Sequence, residues 1–211
     1  MRLWSEIEAV RSSWDVGRHP FLVGWGAEAP STREMSVYAA SYRQALRALG
    51  DGAARLARRR ALGADGRLQA AAEREWALAD VWEELELEPG GAEPGQAIAE
   101  CAAVWNGGEA PEPLAGLVIL HVVDRARAEL APGLAETLPE GDSARACLQA
   151  EAELSLAHAE LTRELAERLL AASPPANPGE LVSHVEAACS VHWDLLDGIE
   201  AALAQDALAH A

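Results

Sequence analysis

The chain has 211 residues, half of them apolar, with 34 acidic and 17 basic side chains and a formal net charge of −17. That length supports one sizeable hydrophobic core, and the apolar fraction excludes a disordered chain. The acidic balance excludes nucleic acid and anionic membrane as partners, because like charges repel phosphate.

Alanine, leucine, glutamate and arginine dominate and β-branched residues are sparse, which favours helices over strands. Glycine and proline punctuation predicts helices over 2–13, 31–61, 66–87, 94–105, 111–136, 142–172 and 179–207. The connections are short, so consecutive helices are expected to pack as neighbours in one all-α domain spanning 1–211, a bundle of about seven helices. The first predicted helix is amphipathic and acidic, unlike a secretion signal. His19, in a His-Pro-Phe sequence, is expected in a loop with a structural role. Ser31 and Glu34 have the capping-box spacing, in which each side chain satisfies a free amide of the other residue. Arg55, Arg58, Arg59 and Arg60 read as a solvated basic face. The longest apolar run, 114–123, contains His121 and is too short to span a bilayer, which needs about 20 residues. Cys101, Cys147 and Cys189 are scattered and form no CxxC pair, against a disulfide scaffold or a thiolate zinc site. Together these features predict a cytoplasmic chain, with a homodimer as the default assembly.

The informative residues are those that interrupt the apolar stripes. Over 66–87 the stripe runs Leu68, Ala71, Glu75, Leu78, Trp82, Leu85. Over 111–136 it runs Leu114, Leu117, His121, Asp124, Ala128. Over 142–172 it runs Cys147, Glu151, Leu154, His158, Leu161, Leu165, and over 179–207 Val185, Ala188, His192, Leu195, Ile199, Leu203. Four helices therefore turn at least one titratable group inward. A lone buried carboxylate costs several kcal/mol, so each must be neutral, hydrogen-bonded or paired. Convergence on a divalent metal is one economical solution. Buried histidine–carboxylate hydrogen bonds are the other, and periodicity alone leaves both open. The tryptophans read mostly as core, and Cys189 as packing rather than a nucleophile.

Two stretches carry a resemblance. RHPFLVGWGAEAPSTREMSVYAASYRQAL near the start and EAACSVHWDLLDGIEAAL near the end resemble the opening and final helices of the heme-oxygenase-like superfamily, which includes thiaminase II and pyrroloquinoline quinone synthase. The resemblance implies a heme-oxygenase-like bundle. Its diiron oxidase branch binds iron through a Glu and a His on one helix, a Glu on the next long helix, and a His-x3-Asp-x2-His run on a later one. Carried over, these positions fall on Glu75 and Leu78, on Asp124, and on Glu151, Ser155 and His158. Glu75 and His158 are retained. Asp124 and Glu151 could serve as ligands, Leu78 and Ser155 could not, and His121 and His192 lie nearby. The pattern leaves one or two irons, an altered site, or no metal all open. No cysteine matches the thiaminase II nucleophile.

Two functions follow from different classes. The first is a small-molecule metabolic enzyme with Glu75, Glu151 and His158 as catalytic groups: an iron-dependent oxidase or oxygenase if metal is bound by Glu75, Asp124, Glu151, His158, His121 and His192. The second is a metal-free or catalytically degenerate relative that binds a small molecule or protein partner. A purely structural interaction module would show a large exposed apolar face, and the stripes leave none.

Overall fold

A computed structural model of the chain describes residues 2–62, 66–84, 95–107 and 112–209. Leu85, His210 and most of the two predicted glycine–proline breaks near 88–95 and 106–113 fall outside them. Among the described residues the chain is all helical: α1 (Arg2–Ser13), α2 (Pro20–Ala27), α3 (Thr32–Ala57), α4 (Gly66–Glu84), α5 (Gln96–Trp105), α6 (Pro113–Thr137), α7 (Ser143–Ala172) and α8 (Pro178–Ala209), with single 3-10 turns at Val16–Arg18 and Arg60–Leu62. Among the described residues it is a single-domain bundle of eight α-helices, one more than the punctuation predicts.

Local chemistry sets the helix starts. The predicted capping box forms, with Ser31 Oγ accepting from the Glu34 amide and Glu34 accepting from the Ser31 amide. Asp142 accepts from the Ala144 amide to start α7. The unpredicted helix is α2. It contains two glycines and a valine, all poor helix formers, so propensity gives no sign of it. Burial of Phe21, Leu22 and Trp25 holds it in place. His19 lies in the short connection before it, as expected, and is its N-cap: Nδ1 accepts from the Phe21 amide, and Nε2–H donates 3.0 Å to Asp197 on α8. The α3 segment stops at Ala57, and the predicted extension to 61 becomes a tighter turn.

The strongest pairings are α6 with α7 and α3 with α4, with α8 crossing α5 and α6. Gly50 makes the α3–α4 contact possible, because a Cβ there would meet the Trp76 indole at 2.5 Å. Trp82, Trp105, Tyr38 and Tyr42 are fully buried where these helices meet. Trp82 packs edge-on against both tyrosines, and Trp105 against Tyr42. Val23, Val81 and Leu156 are the exposed large hydrophobics among the described residues and lie on three different helices. No helix of the described residues is long and apolar enough to cross a membrane.

Candidate functional site

The polar centre lies where α4, α6 and α7 face one another. Three- and four-residue steps put Glu75 on the inner face of α4, Asp124 on that of α6, and Glu151, Ser155 and His158 on that of α7. All five are buried. At their midpoint lies a residue that the stripes do not single out. Arg127, one turn after Asp124, is wholly buried. Its Nη1–H groups donate 3.0 Å to Glu75 Oε1 and 2.8 Å to Asp124 Oδ1, and its Nε–H donates 3.0 Å to Glu151 Oε1. His158 Nδ1–H donates 2.9 Å to the same Glu75 oxygen, and the Tyr42 hydroxyl on α3 donates 2.8 Å to the same Glu151 oxygen. One guanidinium therefore ties three helices together through charge-assisted hydrogen bonds, the strong kind.

The electrostatics follow from that arrangement. Burial alone would raise Glu75, but the Arg127 charge and the bonds from His158 and Arg127 outweigh it and hold the carboxyl below its usual range. Asp124 goes the other way. Burial and the neighbouring Glu75 charge outweigh Arg127 and push it up to about 7. Burial opposes the charge on Arg127, yet the surrounding acids raise its pKa well above the usual value, so it stays a cation. Burial raises Tyr42, and the adjacent Glu151 raises it further, so it remains a hydroxyl donor.

The structure separates the six expected metal-binding residues. Glu75, Asp124 and His158 each offer a donor atom, all within 4.8 Å of one another, and this buried group could hold a metal ion. Glu151 joins it only through Arg127. His121 faces another way: Nδ1–H donates 2.9 Å to the Ala159 carbonyl, Nε2 lies 3.5 Å from Glu8, and Trp4 packs edge-on against the ring. Burial lowers its pKa against the pull of the Ala159 carbonyl and Glu8. His192 stacks 6.5 Å from Tyr42 and lies edge-on to Trp105. Burial, then the Arg127 charge, lower it to about 3, so it is neutral at ordinary pH.

A two-iron centre does not fit these residues. It needs about six protein ligands. Here Leu78 and Ser155 stand at two of the positions, His121 and His192 lie outside the group, and Glu151 is held by Tyr42 and Arg127. A single ion would meet a second obstacle, because one oxygen each of Glu75 and Asp124 already bonds a permanently charged guanidinium. Unpartnered buried atoms point both ways. Glu75 Oε2 and His158 Nε2 would suit a cation, whereas Arg127 Nη2 is a donor and would repel one.

Space is equally informative. The cavity against Glu75, Asp124 and His158, lined also by Leu49, Leu68 and Thr162, measures about 10 Å³. That is no more than one water needs. On the outer side of His158, between α4 and α7, a surface groove of about 360 Å³ is lined by Arg67, Arg74, Ala157, Glu160, Leu161 and Glu164. His158 borders both spaces.

Two members of the cluster escape the stripe reading. Arg127 continues the inner face of α6 through Leu120, Asp124, Ala131 and Leu134, all buried, and the three-residue step from Asp124 is its sequence signal. An arginine is almost never fully buried unless paired, which makes Ala128 the more natural choice for that stripe. Tyr42 lies among small buried residues of α3 and carries no comparable sign. The three thiols are buried. Burial raises Cys101 and takes Cys147 and Cys189 up to about 12, so none is an activated nucleophile.

No family model matches the chain, and no curated protein matches its sequence. The site defines the class instead: an all-helical bundle whose core carboxylates are bonded to an internal arginine.

Proposed function

We propose that this chain is a small-molecule metabolic enzyme of the heme-oxygenase-like kind that works by acid–base chemistry, in the cytoplasm, without iron. The observation that carries the reading is Arg127, bonded to Glu75, Asp124 and Glu151 at the point where their carboxylates converge. A site that already holds a side-chain counter-charge has less need of a metal. The acid–base machinery is then Glu75 and His158. Glu75 fixes the ring through Nδ1, which leaves Nε2, buried and without a partner, as the nitrogen that would exchange a proton once a substrate entering from the α4–α7 groove displaces the groups covering it. Glu75 and Arg127 act as positioning residues. Asp124, held near neutrality, supports the reading as a proton store behind His158.

The second reading is an oxidative enzyme with a single iron, favoured by the three donor atoms of Glu75, Asp124 and His158 lying within 4.8 Å. In that case the ion supplies Lewis acidity and redox chemistry, and Arg127 must leave the carboxylates before it can bind.

The two readings part in one experiment. The purified chain is incubated with a metabolite extract in excess chelator, and substrate loss is followed by mass spectrometry. The acid–base reading predicts a metabolite consumed in chelator and left untouched by His158→Gln at unchanged melting temperature. Consumption that appears only when ferrous iron is restored contradicts it.

A further inference from the structure

A space with mainly apolar walls lies away from this cluster, on the other face of α6. A cleft of about 430 Å³ opens between the end of α1, the 16–18 turn, α2 and α6. Its walls are Trp14, Val16, Leu22, Val23, Leu130 and Leu134, and Val23 is 56% exposed at its mouth. The size falls within the range of small-molecule sites, roughly 300–1,000 Å³.

The charges at its rim are closed on one another. Arg11 donates 2.9 Å to Glu8 and 2.6 Å to Glu129, Arg125 donates 2.8 Å to Glu129, and Arg18 lies 3.2 Å from Asp15, which also accepts from the Gly17 amide. An ionic ligand would have to break one of these pairs, whereas an uncharged one would not.

Two exposed glycines stand at the open side of the cleft. Gly26 of α2 and Gly133 of α6 both line the cleft, and a Cβ added at either would meet nothing within 4 Å. A glycine inside a helix costs about 1 kcal/mol relative to alanine. Packing asks for neither glycine, since a side chain would have room. Both leave the mouth of the cleft unobstructed.

We infer that this cleft is a binding site for a small, uncharged, largely apolar organic molecule. It is separate from the α4–α7 groove, and α6 is the element common to both: Asp124 and Arg127 face the cluster, while Ala126, Leu130 and Gly133 face the cleft.

The test uses the whole chain with two fluorescent probes, uncharged Nile red and anionic anilinonaphthalene sulfonate. Gly133→Leu places a large side chain in the cleft, and Val23→Glu places a charge at an already exposed position. Nile red is expected to saturate at one per chain. Its affinity should fall at least tenfold in each variant, both variants should melt cooperatively, and the anionic probe should bind at least tenfold more weakly than Nile red. Non-saturating binding overturns the inference. So does an affinity that Gly133→Leu and Val23→Glu leave unchanged, or a concentration-dependent dimer that excludes the probe, which would make a second copy the occupant.

Discussion

The two faces of α6 make opposite use of the same helix. The inner face carries Asp124 and Arg127 into a region dense with charge and almost without space, about 10 Å³. The outer face lines about 430 Å³ of space in which every rim charge is already paired. A buried cluster of this kind holds its groups at fixed distances and protonation states, and leaves no room to bind anything. The apolar cleft can bind but brings no chemistry. Residue polarity alone would have marked the first as the whole functional site.

The largest test of that contrast is Arg127→Met. Removing one partner of a buried ionic cluster typically destabilises by about 3–5 kcal/mol, because the remaining charges lose their counter-ion. Urea unfolding should show a loss of that size. A loss under about 1 kcal/mol would mean that Arg127 is not the cluster's counter-charge. Next is Tyr42→Phe, which deletes one hydrogen bond to a buried carboxylate. The expected loss is about 1.5–3 kcal/mol by the same measurement.

The pH dependence sharpens the inner side. Asp124 is raised from 3.8 to about 7 in the folded chain. The native state therefore holds a proton that the unfolded state has released, and this group's contribution to stability falls as pH rises from about 4 to about 7. His192 has the opposite sign. Its folded value is depressed from 6.5 to about 3, so its contribution falls as pH drops through that interval. Asp124→Asn, which keeps an acceptor for Arg127, should flatten the first trend and raise the melting temperature at pH 8. His192→Phe should flatten the second and raise it at pH 4.5. The smallest expected effect belongs to the outer side: Gly133→Ala should stabilise by about 0.5–1 kcal/mol, since nothing obstructs the methyl group.

Much of this was legible before any coordinates. Glu75, Asp124, Glu151 and His158 interrupt apolar stripes at helical spacing, and helical geometry then forces them onto inner faces. The helix ends at Ser31 and Thr137 follow from capping and punctuation. Three things were not legible. The short helix over residues 20–27 is formed by tertiary burial around His19 and Trp25, against its own glycines. Arg127 is hidden because its burial depends on partners from α4 and α7 that no local window contains. The aim of His121 toward Ala159 and Glu8, rather than toward the cluster, depends on where α1 docks. Periodicity fixes which face of a helix a residue occupies, and the distance across that face to a neighbour is set only by assembly.

The central claim, that a side-chain cation holds the position a metal would take, is tested most directly by counting iron. The native chain and Arg127→Met are equilibrated anaerobically with excess ferrous iron, freed of unbound metal, and assayed for iron per chain. The account predicts far less than one iron in the native protein and a gain toward one in the variant. One or two irons per native chain, with the Arg127 bonds to Glu75 and Asp124 lost, would contradict it.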